Sequence, residues 1–250
     1  MGAAALPPRG GRSPWRTLQT VHLWMGVVVA AQLLLWTASG LFMTSNAIET
    51  VRGTTLRRDV PPLDLRRAGP LLPPAAVLPP EAVLASPVES AELTSLLGAP
   101  VYRLSSGGRH WLVDARSGQE RPIGRGEALA IARQQVVLVE PLTAIRVGDP
   151  PPLELRRPGG AWRVAAADGT HVYIGTAGEV MAVRTELWRW HDFAWGLHIL
   201  DPAGREATHH PLLIASALLA LASVVSGIIL IAGRFGRRRP MSQRRPDPVR

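Results

Sequence analysis

Two stretches of the chain carry no charged side chain over the length of a membrane crossing. Val21 to Met43 is a 23-residue run interrupted only by His22, Gln32, Thr37 and Ser39, and Pro211 to Ala232 is a 22-residue run that opens on a proline. At about 1.5 Å of rise per residue, roughly 20 apolar residues cross a hydrocarbon core, so both runs predict transmembrane helices. Pro211 suits a first helical position, where a missing N–H costs little. The first run is longer than the apolar stretch of a secretory signal, about 7–15 residues, and predicts an uncleaved anchor.

Between the spans the pattern shortens. Ser86-Pro87-Val88-Glu89 followed by Leu93, Leu96 and Leu97, with Gly98 at the end, predicts a capped helix. VYRLSS and HWLVDARSG on either side of Gly107-Gly108 predict a hairpin. Arg125 to about Val136, with Ala128, Leu129, Ala132 and Val136 on one face, predicts a second helix. Strands are expected near LTAIRV, LELRR, AWRVAAA, THVYIG and EVMAV, divided by Gly, Pro and Asp turn signals. Seven prolines between Pro61 and Pro80 forbid helix or central strand and predict a partly extended spacer, running along the domain or away from the membrane.

The two halves of this region align as copies. YRLSSGGRHWLVDARSGQE matches WRVAAADGTHVYIGTAGEV with one-residue gaps, pairing Arg103 with Arg163, His110 with His171 and Gly118 with Gly178. Each copy is expected to be one helix on a small antiparallel sheet, which makes the fold class α+β with two flanking transmembrane helices.

Charge gives the spans a direction. The formal net charge is +9 and every basic residue is Arg. Arg9, Arg12 and Arg16 precede the first span; Arg234, Arg237, Arg238, Arg239, Arg244, Arg245 and Arg250 follow the second, with Asp247 the one acid in either tail. These tails account for the whole excess, and the region between the spans is neutral. Short Arg-rich flanks resist translocation, so both termini are expected in the cytoplasm and the main domain outside, in the periplasm of a bacterial inner membrane. A basic excess placed this way is topogenic and argues against nucleic acid as a partner. With no Cys, disulfides, thiolate metal sites and covalent c-type haem are excluded.

Small residues line one stripe of each span: Gly26, Ala30, Leu33, Thr37 and Gly40 in the first, Ser216, Ala220, Ser223 and Gly227 in the second. Such stripes let helix backbones approach in lipid and offer a homodimer contact. His22 falls on the first stripe and His209 seven residues before Ser216 on the second. Trp15, Trp24, Trp188, Trp190 and Trp195 fit aromatic belts, and Leu187 to Leu200 reads as an interfacial helix. His110 and His171 read as solvent-facing strand residues rather than metal ligands. No HExxH, G-x-S-x-G or phosphate loop occurs, so no catalytic residue is assigned.

The run APVYRLSSGGRHWLVDARSGQERPIGRGEALAIARQ resembles a PepSY domain. HLWMGVVVAAQLLLWTASGLFM, DFAWGLHILD and HHPLLIASALLALASVVSGIIL resemble the spans of PepSY-associated transmembrane proteins. The resemblance covers about residues 17 to 235. It implies a cytoplasmic tail at 1–16, a transmembrane helix at 17–44, a Pro-rich linker at 45–80 and PepSY-like units at 81–122 and 123–186. An interfacial segment at 187–208, a second transmembrane helix at 209–233 and a basic tail at 234–250 complete it. The family implies a binding or regulatory module in an iron-uptake or envelope setting, with a peptide, a peptidase or an iron–siderophore complex as partner. Its larger, four-span members include reductases with b-type haem on span histidines, which implies the alternative of a haem-b electron-transfer subunit; control of a periplasmic peptidase is a further alternative. The candidate haem ligands here are His22, His198, His209 and His210. Helix rise separates His22 from His209 by about 30 Å, so one haem between them is excluded within a single chain, and a symmetric dimer would pair His22 with its mate and His198 or His209 with its mate, a two-haem path across the membrane. Hydrogen bonding at the interface and capping of the second span are the alternative roles for these side chains.

Overall fold

The computed structural model describes residues 13–78, 86–207 and 209–236. Arg9, Arg12, the tail from Arg237 and positions 79–85 of the expected linker and first unit lie outside the described residues. Contacts divide the chain into two compact units, one running from Thr44 to Asp192 and one formed by the helical segments before and after it.

The α+β fold class holds. In the unit from Thr44 to Asp192, β1 (Ser90–Leu96), β2 (Ala99–Ser106) and β3 (Arg109–Asp114) form one antiparallel meander. The helix α3 (Arg125–Gln135) follows, and then β4 (Thr143–Val147), β5 (Ala161–Ala165), β6 (His171–Gly175) and β7 (Val180–Arg184) form a second meander. A short helix, α2 (Ile48–Val51), precedes them.

The capped helix expected from Ser86 is instead strand β1. Leu93 and Leu96 are three apart, which a helix places on one face and a strand on opposite faces. Here they do separate: Leu93 pairs with Tyr102 and packs beside it, while Leu96 is completely buried on the other side with Val101 and Leu112. Pairing with β2 decides between two readings that periodicity leaves open. Leu97-Gly98 closes the hairpin, both with positive φ. LELRR is not a strand either. The Pro150-Pro151-Pro152 run ahead of it supplies no N–H for a ladder, and Leu155 and Arg156 fold back to donate to Pro152 O.

The copies are visible as hairpins. β2–β3 and β5–β6 place His110 opposite Ser105 and His171 opposite Ala165, and Gly118 and Gly178 close equivalent turns at the same φ of 72°. Among the described residues only the second copy has a helix, and it serves both. Ala128, Ile131 and Ala132 of α3 are buried in one cluster with Leu96, Val101 and Leu112 of the first sheet and Val164, Val172, Ile174 and Val183 of the second. The Pro-rich segment covers the opposite face of the first sheet. Val77 is buried there, Leu71 and Leu72 pack beside it, Leu72 donates its N–H to Ala115 O and Tyr102 Oη donates to Leu72 O at 2.8 Å. The spacer is thus a fixed cover lying along the sheet.

In the helical unit, α1 (Pro14–Thr44) and α5 (Pro211–Gly236) are each long and apolar enough to cross a membrane. The helix between them, α4 (Glu186–His198), crosses the boundary between the units at Asp192. Leu34 of α1 and Leu218 of α5 are 72% and 61% exposed, an outward apolar surface suited to lipid. Trp15 packs on Gly233 and His22 on Gly227, so α1 and α5 run antiparallel. The small stripe of α5 holds, since Ser216, Ala220, Ser223 and Gly227 are all shielded. On α1 only part of it does: Gly26 and Gly40 are shielded, but Ala30, Leu33 and Thr37 are exposed. The shielded line on α1 instead runs through His22, Met25, Val29, Gln32, Trp36 and Ser39, the true 3.6-residue period.

The turn glycines give a direct test. A Cβ on Gly178 would lie 2.9 Å from the buried Leu96 side chain, whereas one on Gly118 would lie 3.2 Å from Leu72. Gly118→Ala should cost about 1–2 kcal/mol for the left-handed backbone alone, and Gly178→Ala about 2–4 kcal/mol because overpacking adds to it. Denaturant titration followed by circular dichroism measures both, and equal losses would show that Leu96 yields freely.

Candidate functional site

His22 and His198 are the two span-associated histidines that the fold turns inward. On α1, His22 Nδ1 lies 2.8 Å from Ser226 Oγ of α5, and that hydroxyl donates its single proton to Ser223 O. His198, in the last turn of α4, has Nδ1 3.1 Å from Ser39 Oγ, whose proton goes to Leu35 O and Trp36 O. With the serine proton held by its own helix carbonyl, the hydroxyl oxygen accepts from ring Nδ1, an arrangement in which a neutral imidazole would carry its lone pair on Nε2. Each ring also rests on a glycine. A Cβ on Gly227 would sit 3.1 Å from His22 Cε1, and one on Gly40 3.5 Å from His198 Cε1. Trp36 flanks His198 with ring centroids 6.1 Å apart. The same local design occurs twice along α1, at His22 and at Ser39-Gly40, separated by about 26 Å of helix rise.

His209 and His210 do not join them. His209 is exposed, and His210 Nδ1 accepts the Leu212 N–H at 3.3 Å at the entry to α5. The four candidate ligands therefore divide into two that face helix contacts and two at a helix entry. Between the two inward histidines, Gln32 Nε2 and Trp36 Nε1 are buried donors without a hydrogen-bond partner. Trp195 Nε1 donates to Arg205 O. Trp188 is not a belt residue: it is buried, with the Arg184 guanidinium 4.3 Å from its ring.

The fit of an axial haem ligand can be judged from the donor set. Iron takes the neutral imidazole through one nitrogen, while the other donates a hydrogen bond that fixes ring and tautomer. His22 and His198 each have a serine hydroxyl at Nδ1 to fix the ring, and the glycines beside them leave out the Cβ that would crowd it; the Nε2 edge of His22 also faces Gly227, 3.6 Å from where a Cβ would stand. Their separation along α1 is too large for both to reach one iron.

The unit from Thr44 to Asp192 holds two other polar features. The first is a network around Glu154. Its Oε2 accepts from His171 Nδ1 at 2.7 Å and from Tyr173 Oη at 2.9 Å, and its Oε1 accepts from Arg189 Nε at 2.8 Å. Burial alone would raise this carboxyl, but the bonds from His171, Arg189 and Tyr173 outweigh it and hold it at about 2. Burial and the bond to Glu154 push the Tyr173 phenol up. His171, expected to face solvent, is thus partly buried as a network member, whereas His110 is exposed as expected. Among the described residues no group of three or more His, Asp or Glu is arranged to hold a metal ion.

The second feature is a cleft between β3 and the loops of the second sheet. Adjoining cavities of about 310 and 500 Å³ share Gly108, His110, Pro158, Glu179 and Met181. Arg109 stacks 5.3 Å from the Trp111 ring and Arg146 5.9 Å from the Trp162 ring. Sequence reasoning did not find the network or the cleft. Each is assembled from residues of separate strands and loops, and no local motif marks them. Comparison of the chain with family models, curated proteins and solved structures finds no match.

The Glu154 network makes a pH prediction. A carboxyl held at about 2 against an ordinary 4.5 contributes stability that is present above pH 4.5 and lost as pH falls through 2. Glu154→Gln should lower stability at neutral pH and flatten the acid limb between those values. Thermal unfolding across pH 2 to 7 checks it, and parallel curves for the two proteins would refute the assignment.

Proposed function

We propose that the chain is an inner-membrane protein of the PepSY-associated kind in which His22 and His198 hold b-type haem between two copies, for electron transfer across the membrane in an iron-uptake setting. The observation that carries this reading is the repeated imidazole: Nδ1 against a serine hydroxyl with glycine alongside, at two levels of one helix. The haem supplies reversible one-electron storage at iron, and the chain supplies axial nitrogens of fixed tautomer and an apolar surround that excludes water.

The Arg-rich tails support both termini on the cytoplasmic face, consistent with antiparallel α1 and α5. His22 then lies toward the cytoplasmic side and His198 toward the outer side. The sequence has no flavin or nicotinamide fingerprint, so the reductant is a separate donor. A second reading, a membrane-anchored binding module, is favoured by the cleft beside β3.

Absorption spectra of the detergent-purified protein, grown with haem supplied, test the proposal. A dithionite-reduced α-band of bis-histidine type is expected at about one haem per chain, since two levels in a dimer give two irons. His22→Ala and His198→Ala should each remove about half of the haem, while His209→Ala and His210→Ala retain it. A featureless visible spectrum in a folded wild-type protein would overturn the reading.

A further inference from the structure

The cleft beside β3 differs from the rest of its unit in how its arginines are used. Elsewhere guanidinium groups meet carboxylates: Arg133 with Glu140 at 2.7 Å, Arg156 with Asp192 at 2.7 Å, and Arg189 with Glu154 at 2.8 Å. At the cleft, Arg121 is paired with Glu127 and Arg103 donates through Nε to Ala177 O. Arg109, Arg146 and Arg157, all exposed and each lining one cavity or the other, have no carboxylate partner among the described residues. Glu92, Glu120 and Glu179 also line the cavities and Arg121 is neutralised by Glu127, so guanidinium exceeds carboxylate there by a single charge. Solvated arginines are ordinary on a surface. Here, however, two of them lie over tryptophan rings that wall one cavity, and the third lines the adjoining one.

The edge of β3 contributes the other half of the site. The pairs Ser106↔Arg109 and Leu104↔Trp111 flank Ser105↔His110, and Gly107-Gly108 forms a two-residue turn with positive φ at both positions. In such a hairpin the pair beside the turn is hydrogen-bonded, so the next one is not, and His110 directs its N–H and C=O away from β2. Thr176 Oγ1 donates to His110 O at 3.1 Å, which leaves the N–H side of the edge inside the cavity. Further along, the edge is already used in this way, with Arg121 N–H donating to Leu112 O and Asp114 N–H to Gln119 O. Across the cavity, Glu179 Oε2 is a buried acceptor without a hydrogen-bond partner. The site therefore presents a main-chain donor at His110 and three guanidinium groups without carboxylate partners among the described residues, the complement of an extended segment that carries acidic side chains.

We propose that this cleft binds an extended, Asp- and Glu-rich peptide segment of another protein, meeting β3 at the His110 N–H and placing its carboxylates on Arg109, Arg146 and Arg157. This deepens the binding-module reading and depends on neither haem nor a second copy. The test is a titration of the full-length protein in detergent, prepared without added haem, with acetyl-hexaglutamate amide, followed by Trp fluorescence. Saturable binding is expected, weakened by salt and reduced roughly ten-fold or more in the Arg109→Gln/Arg146→Gln/Arg157→Gln triple variant. The three side chains are exposed, so the variant should keep the wild-type melting temperature. Acetyl-hexaglutamine amide should bind at least about ten-fold more weakly, because it lacks the charge-assisted bonds. An alternating Glu-Pro hexamer should also bind more weakly, because proline removes strand N–H donors. Equal binding of the Gln and Glu peptides would overturn the acidic specificity while leaving a binding module, and no binding of either would overturn both. Equal binding of the Glu-Pro peptide, or competition by free tricarballylate at the hexapeptide's own affinity, would overturn the extended-peptide form in favour of a small polycarboxylate site.

Discussion

Burial of apolar surface around α3 holds the unit from Thr44 to Asp192 together. A three-stranded and a four-stranded sheet of this size have each too little apolar area to stand alone, and no disulfide is possible to staple them. Ile131 is completely buried where Leu96 and Leu112 come from one side and Val164 and Val183 from the other. Removing the helix would expose both sheets at once, so the two copies form one cooperative structure despite their separate ladders. The cleft follows from this arrangement. It opens where β3 and the loops of the second sheet come together beyond the shared core.

Much of this was readable in the chain. The spans, α3, the Gly107-Gly108 hairpin and four of the five strands expected after α3 follow from local periodicity and turn residues, which are strong wherever an element has one exposed and one buried face. The misreadings have a common cause. Leu93 and Leu96 could satisfy a helix or a strand, and only the partner strand β2 decides. The Pro-rich segment does run along the domain as one of its two expected courses, and what the chain alone did not show is its role as a cover, which depends on Tyr102 and Ala115 far along the chain.

The candidate sites were legible to different degrees. His22 and His198 attract attention because histidine at a span is costly without a partner. Their division from His209 and His210 was not legible, because it depends on which residues of α5 and α1 meet each ring. Ser226 and Ser39 are the deciding residues, and serine in a span is otherwise unremarked. The stripe on α1 was drawn through Ala30, Leu33 and Thr37 by following small residues, whereas the helix turns its polar residues, Gln32 and Ser39, inward.

The serine contacts also restrict rotation of the rings. Turning either imidazole by half a turn about its Cβ–Cγ bond would replace the N–H facing the hydroxyl oxygen with a carbon, and the serine, already donating to its own helix, would lose the bond. Each ring is therefore confined to one χ2 state before anything binds. The loss of rotational freedom that a ligand or metal normally imposes on a flexible side chain has been met during folding, which leaves more of the bond energy as affinity.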